Sequence, residues 1–490
     1  MRSRIEFYSR WILNHRVQYS VALLIQAFAS VLYGLRLLNE YGTDYGIYYV
    51  GSVATRQNDY GLYSSFFEIK GPLYYAFLKS ISFLVNYNLT GAVVELIFTA
   101  LFWFLCVNIA SRIISSNLQV RTVASIASVA ILIGQDSNSS MSLFQSGLIV
   151  LSLALIYKHL FTDNVICFYL SIAVSTLTCL VKLDSFGLII IIPLLYLIYS
   201  KSKSIFRLIS GFAFSIIFFM ANLLMLSRFL NFSLSEYFYQ SFQFVIESRF
   251  NIGDSTSRYG FLGLFVRDYY SISLLLASGI LFSLLLSYQN ISFPILIRDP
   301  GFIIMIYGVI SYLLLKSDKN YHLFVLYSCL LVVLIIRIDN ELVVNRLKVV
   351  FVTFLLGASL VVINFSVDSR CVITKNIQCV NRFENLLQPN QDKALLQKSF
   401  YLNQGWPFLI NGVLPKVNFT VWWPLAVYAK NSTDQVIAEA NSSNFPIWVD
   451  YSDFMDLQKK NPIQTGEFMK GRELVRSNSD SKWAELIPIK

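Results

Sequence analysis

Charge is scarce in this sequence. Asp, Glu, Lys and Arg make up 14% of it, against about 25% in soluble domains. Histidine is scarcer still: His15, His159 and His322 are all there is. The six cysteines form no Cys-x-x-Cys and no Cys/His spacing, so no zinc site is legible. Also missing are a P-loop, a Rossmann glycine fingerprint and, in the long loops described below, an Asp-x-Asp; these gaps argue against a nucleotide or nucleotide-sugar donor. What fills the chain instead is apolar: 55% of residues, in blocks of about 20, the length that crosses a bilayer core. The expected fold class is mainly α, a polytopic membrane protein. The net charge of +10 is read as orienting Lys/Arg and residues facing anionic lipid; no nucleic-acid partner is expected, because no soluble basic module exists.

Arg2, Arg4, Arg10 and Arg16 precede the first apolar run and assign the N-terminus to the cytoplasm. Alternation of basic and non-basic connections then predicts about 11 spans: 17–38, 89–110, 122–133, 143–160, 165–181, 186–199, 208–226, 271–288, 301–315, 323–336 and 349–365. Residues 71–85 are apolar but short and are read as a helix lying in the interface, with Tyr74 and Tyr75 at headgroup level. Residues 1–365 are thus expected to form a transmembrane domain with long external loops at 39–87 and 228–270. Residues 366–490, polar and tryptophan-bearing, are expected to form a small C-terminal α/β extracytoplasmic domain. Cys371 and Cys379 at its start are either a disulfide or free thiols. Sequons at Asn418, Asn431 and Asn441 do not by themselves show glycosylation.

The few charges gather where this topology meets the outer rim. They include Asp44, Asp59, Glu68, Lys70, Lys182, Asp184, Arg258 and His322. The spans are read as free of buried charge, which argues against ion-coupled transport. Transfer of a group from a lipid-linked phosphate fits better. A sugar phosphate already has a good leaving group; it needs cations for the departing phosphate and one carboxylate for the acceptor hydroxyl. Each rim cation taken alone is as well explained by snorkelling to the surface.

The stretch TDYGIYYVGSVATRQNDYGLYSSFFEIKGPLYY resembles the first external loop of the glycosyltransferase C superfamily. It is most similar to the branch containing dolichyl-phosphate-mannose protein mannosyltransferases and the bacterial aminoarabinose transferase acting on lipid A. Asp44, Gly61, Leu62, Tyr63, Lys70, Gly71, Pro72, Leu73 and Tyr74 occupy that loop's pattern. Lys182, ending a middle span, and Asn320, Tyr321, His322, Leu323 and Phe324, entering a late one, resemble two weaker signatures. Tyr45 stands where many members carry a second acid, so this chain departs from the family pattern at that position.

The resemblance implies an inverting glycosyltransferase that moves a sugar from a polyprenyl-phosphate donor to an extracytoplasmic glycan, lipid or protein acceptor. Asp44 would be the catalytic base. Tyr45, Tyr63, Lys70, Tyr74, Lys182, Arg258 and His322 would bind substrate, the cations and His322 on the donor phosphate. No cofactor is expected, and a divalent metal stays open. Membrane lipid is an expected partner. The absence of an ER-retention signal at Ile489–Lys490 favours a bacterial inner membrane, with the site on the periplasmic face. Two other classes compete: a lipid-linked sugar flippase without chemistry, and a surface-polysaccharide polymerase or ligase using the loop at 228–270.

Overall fold

The computed structural model describes residues 15–36, 48, 51–52, 55, 61–63, 70–84, 89–133, 140–200, 204–243, 299–315, 323–339, 400–401, 447–460, 462, 466, 469–476 and 483–489. Its helices are α1 His15–Arg36, α2 Leu73–Ile81, α3 Leu89–Ile114, α4 Leu118–Ile133, α5 Ser140–Thr162, α6 Val165–Cys179, α7 Phe186–Tyr199, α8 Ile205–Phe229, α9 Leu234–Phe238, α10 Pro300–Leu315, α11 Leu323–Asp339 and α12 Tyr451–Lys460. Among the described residues, four helices are long and apolar enough to cross a membrane: α1, α3, α5 and α8. Helices stand at nine of the expected spans, with ends shifted by up to a turn. The expected spans 271–288 and 349–365 lie outside the described residues. Helix α2 has nine residues, about 14 Å of rise, too short to cross a core of about 30 Å.

Contact clustering divides the chain into two units. The first comprises Met1–Arg36, Leu96–Ala221 and Ser257–Ser369; the second comprises Leu37–Glu95, Asn222–Thr256 and Arg370–Lys490. In the first unit, α5 is the central helix. It packs against α6, α7 and α11, while α11 also packs against α4 and α10. Apolar surface drives no association between helices already in lipid, so small residues and hydroxyls set the seams. On α5, Ser146 donates to the Phe324 carbonyl of α11 at 3.0 Å, and Ser152 donates to the Ser171 carbonyl of α6 at 3.0 Å. Thr176 and Ser215 join α6 to α8 at 2.9 Å.

Between α1, α3 and α4 lies a polar knot, with Gln26, Ser125 and Ser128 buried and Asn108 half-buried. Gln26 donates to Ser128 Oγ at 3.0 Å and accepts from Asn108 at 2.9 Å, and Ser125 donates to Asn108 at 3.0 Å. At the other end of the bundle's sequence, Asp299 accepts from the Gly301 amide at 2.8 Å and pairs with Arg337. With Pro300 opening α10, this is the expected Asp–Pro start of a helix.

One expectation fails here. Glu95 lies inside α3 and is completely buried, so the apolar helices are not free of buried ionisable groups. Its neighbours in sequence, Val93, Val94 and Leu96, are apolar enough to carry one acid into the helix.

In the second unit, residues near the C-terminus form a four-stranded sheet. The strands are β1 Phe400–Tyr401, β2 Ile447–Asp450, β3 Arg472–Arg476 and β4 Trp483–Pro488, in the order β1-β2-β4-β3. β1 runs parallel to β2; β4 runs antiparallel to β2 and β3, with Trp448 opposite Glu485 and Leu474 opposite Leu486. The period-2 rule is visible in β4, where Ala484 and Leu486 are buried and Glu485 and Ile487 are less so. α12 follows β2 directly and packs on it, with Phe454 and Val449 buried.

Candidate active site

In the second unit, Lys70 stands two residues before the N-cap of α2. Pro72 is that cap and starts the helix with no side-chain hydrogen bond of its own. The first amides of α2 therefore open next to a lysine, which makes this an electropositive corner. The Lys70 ammonium donates to the hydroxyl of Tyr48 and stands 4.4 Å from the centre of its ring. Tyr48 is buried and meets Tyr74 and Tyr75 edge-on, with ring centres 5.8 and 6.1 Å away. Gly51 leaves room for this: a Cβ there would stand 2.8 Å from the Tyr75 ring.

Tyr63 joins the same corner from the other side. Its hydroxyl donates to the Lys70 carbonyl at 2.5 Å. Its backbone is left-handed, with φ 68°. Its ring meets Phe232 and Tyr237 at 5.0 and 5.4 Å, and its carbonyl accepts from Gln240 Nε2 at 2.6 Å. Further along α2, Lys79 donates to the Phe229 carbonyl at the C-terminus of α8, 2.6 Å away. Burial there lowers the Lys79 pKa from its ordinary value.

Lys182, in the first unit, follows α6 in an extended conformation and caps the short 3₁₀ turn Leu183–Ser185. It is 8% exposed. Its ammonium donates to Ser142 Oγ in the first turn of α5. Its carbonyl accepts from Gln145 Nε2 at 3.4 Å, and the same amide donates to Ser185 Oγ. A desolvated cation beside a helix N-terminus carries two positive influences in one place, an arrangement that favours an arriving anion.

Of the expected site residues, Lys70 and Tyr74 meet at Tyr48, and Tyr63 joins them through the Lys70 carbonyl. Tyr74 and Tyr75 are fully buried within the protein, where Tyr48 packs on both and Gly51 lies against the Tyr75 ring. Lys182, in the first unit, stands in a polar cluster with Ser142, Gln145 and Ser185. Asp44, Tyr45, Arg258 and His322 lie outside the described residues, as do Cys371 and Cys379. Tyr48, Gln240, Ser142 and Gln145 were not among the expected residues. Tyr48 had a signal, its place in the tyrosine-rich loop; Gln145 inside an apolar run carries none, and neither do Ser142 beside that run and Gln240 in the second long loop.

No protein-family model matches the sequence. No curated protein matches it either. Among solved structures, the chain is similar to ArnT from Cupriavidus metallidurans bound to undecaprenyl phosphate, with a TM-score of 0.56 and 11% identity over 98% of both chains. The chain has the ArnT fold. ArnT is a glycosyltransferase C protein of the aminoarabinose-transferase branch, the branch that the first external loop resembles. At this identity the likeness speaks for the fold alone. The ArnT-like fold and the local geometry at Lys70 are independent observations, one global and one confined to a few side chains.

Proposed function

We propose that this chain is an inverting glycosyltransferase using a polyprenyl-phosphate sugar donor, with about 11 spans and its site and C-terminal domain on the outer face of a bacterial inner membrane. The observation that carries the reading is Lys70 in its KGPLYY setting. It is a cation fixed by Tyr48 and Tyr63 at the start of a short helix, in a chain with the fold of a protein that binds undecaprenyl phosphate. The acceptor hydroxyl oxygen attacks the sugar's anomeric carbon while the bond from that carbon to the phosphate oxygen breaks. The phosphate leaves with the electron pair, held by Lys70, Lys182, Arg258 and His322, and the hydroxyl proton passes to Asp44. Attack opposite the leaving group inverts the anomeric centre. The acceptor is a glycan, lipid or protein.

The test supplies purified protein with a panel of polyprenyl-phosphate sugars and a cell-envelope acceptor fraction, and follows donor loss and release of polyprenyl phosphate. The expected result is turnover of one donor, lost in Asp44→Asn and weakened in Lys70→Ala. Movement of intact donor across a proteoliposome bilayer without release of polyprenyl phosphate would replace this reading by the flippase.

A further inference from the structure

A tyrosine in the left-handed backbone region is an outlier, because its Cβ crowds the following carbonyl. Such a conformation persists where its surroundings over-determine it. At Tyr63 those surroundings come from residues 230–240. The amide of Leu62 donates to the Leu230 carbonyl at 3.1 Å. Phe232 and Tyr237 hold the ring. Gln240 donates to the Tyr63 carbonyl at 2.6 Å, from within the π-helical turn Tyr239–Gln243, a local widening often found at functional sites. A capping box, Ser233 with Glu236, fixes where α9 and that turn begin. The constrained tyrosine then donates its hydroxyl to the Lys70 carbonyl, and Lys70 directs its ammonium to Tyr48.

We propose that Gln240 and Tyr63 are positioning residues for Lys70: the second external segment sets, through the Tyr63 hydroxyl, where the donor-binding ammonium stands. Neither side chain needs to touch the donor. The backbone on both sides of residues 64–69 is anchored, at Tyr63 by Gln240 and at Lys70 by Tyr63, so the lysine is presented from two fixed points. This rests on the assignment of Lys70 to the donor phosphate. It adds that affinity for that phosphate is governed from residue 240, 170 positions away in sequence. A ligand or acceptor that reshaped the turn at 239–243 would change donor affinity through the same contacts.

The test uses the full chain and undecaprenyl phosphate as the probe. Its Kd and the melting temperature are measured for Lys70→Ala, Tyr63→Phe, Gln240→Glu and the two double variants with Lys70→Ala. Tyr63→Phe keeps the ring and removes the hydroxyl; Gln240→Glu keeps the shape and removes the donating amide. Each single variant at Tyr63 or Gln240 is expected to raise Kd by about three- to tenfold, the effect of one hydrogen bond. In the Lys70→Ala background neither should raise it further, because the group being positioned is gone. A merely structural role would lower the melting temperature in both backgrounds and leave Kd alone. Unchanged Kd in both single variants, or the same fold-change with and without Lys70, overturns the relay while the donor site stands. Unchanged Kd in Lys70→Ala overturns the donor site and the relay together. If Tyr63→Phe does not fold, Gln240→Glu and its double variant decide the matter by the same criteria.

Discussion

Replacing Lys182 by methionine separates a binding cation from a structural one. Methionine keeps the length and most of the volume of the lysine stem and removes the charge. Lys182 is 8% exposed and its ammonium is engaged by Ser142 Oγ, so a phosphate reaching it would form a charge-assisted contact with little water between. Such a contact is worth about 1.5–3 kcal/mol. At about 1.4 kcal/mol per decade, that is a weakening of undecaprenyl phosphate binding by roughly 10- to 150-fold. Lys182→Arg should not keep full affinity, because the planar guanidinium is larger than the ammonium and the lysine side chain is buried with its ammonium against Ser142 Oγ. The assay is titration of the purified protein in nanodiscs with undecaprenyl phosphate, with a thermal melt in parallel. An unchanged Kd in Lys182→Met together with a lower melting temperature would refute the reasoning, leaving Lys182 as a cation that ties α5 to the end of α6.

Asp44→Asn should lower turnover by about 10²–10⁴-fold, the usual contribution of a general base, with donor affinity kept; single-turnover kinetics checks this. Tyr48→Ala removes a ring that packs on Tyr74 and Tyr75 and should cost about 3–5 kcal/mol of stability. Tyr48→Phe should cost about 1 kcal/mol, and denaturant titration compares the two. Burial raises the Glu485 carboxyl from its ordinary value of 4.5, so the folded protein holds that proton more tightly than the unfolded chain does. Stability therefore falls as pH rises from about 4.5 through the raised folded value and is level above it. Glu485→Gln should melt higher than the parent at neutral pH, with the gain vanishing in acid.

The apolar helices were legible because hydropathy is a local property. The runs at 186–199 and 323–336 need no partner to declare themselves, and the structure begins its helices at those residues. Helix ends were less legible. Ser140 and Thr162 close α5 outside the apolar run: hydroxyl residues do not register as apolar, and Thr162 turns its hydroxyl back onto the Lys158 carbonyl at 2.8 Å. The buried Glu95 was missed for the opposite reason: one acid barely dents the mean hydropathy of a long run. At the candidate site, Lys70 and Tyr74 were readable from the KGPLYY spacing. Gln240 was not, because its contact with Tyr63 joins residues 177 apart. The sheet order β1-β2-β4-β3 is likewise a product of long-range pairing, and β1 has two residues to announce itself.

The seam between α5 and α11 has a consequence for the order of synthesis. Ser146 and Ser328 meet at 2.5 Å but are 182 residues apart. At translation rates of about 5–20 residues per second, α5 waits about 10–40 s before its partner leaves the ribosome. Throughout that interval Ser142, Gln145, Ser146 and Ser152 must be accommodated in lipid, by α6 as soon as it arrives, or by the insertion machinery itself. α6 is 15 residues long, begins three residues after α5 ends, and already offers the Ser171 carbonyl to Ser152. The early hairpin α5–α6 is thus a nursery for a helix whose remaining polar face is completed much later. Slowing translation downstream of residue 200 should expose that unfinished face to quality-control proteases for longer, which a pulse-chase of the nascent chain would register as greater loss before α11 is made.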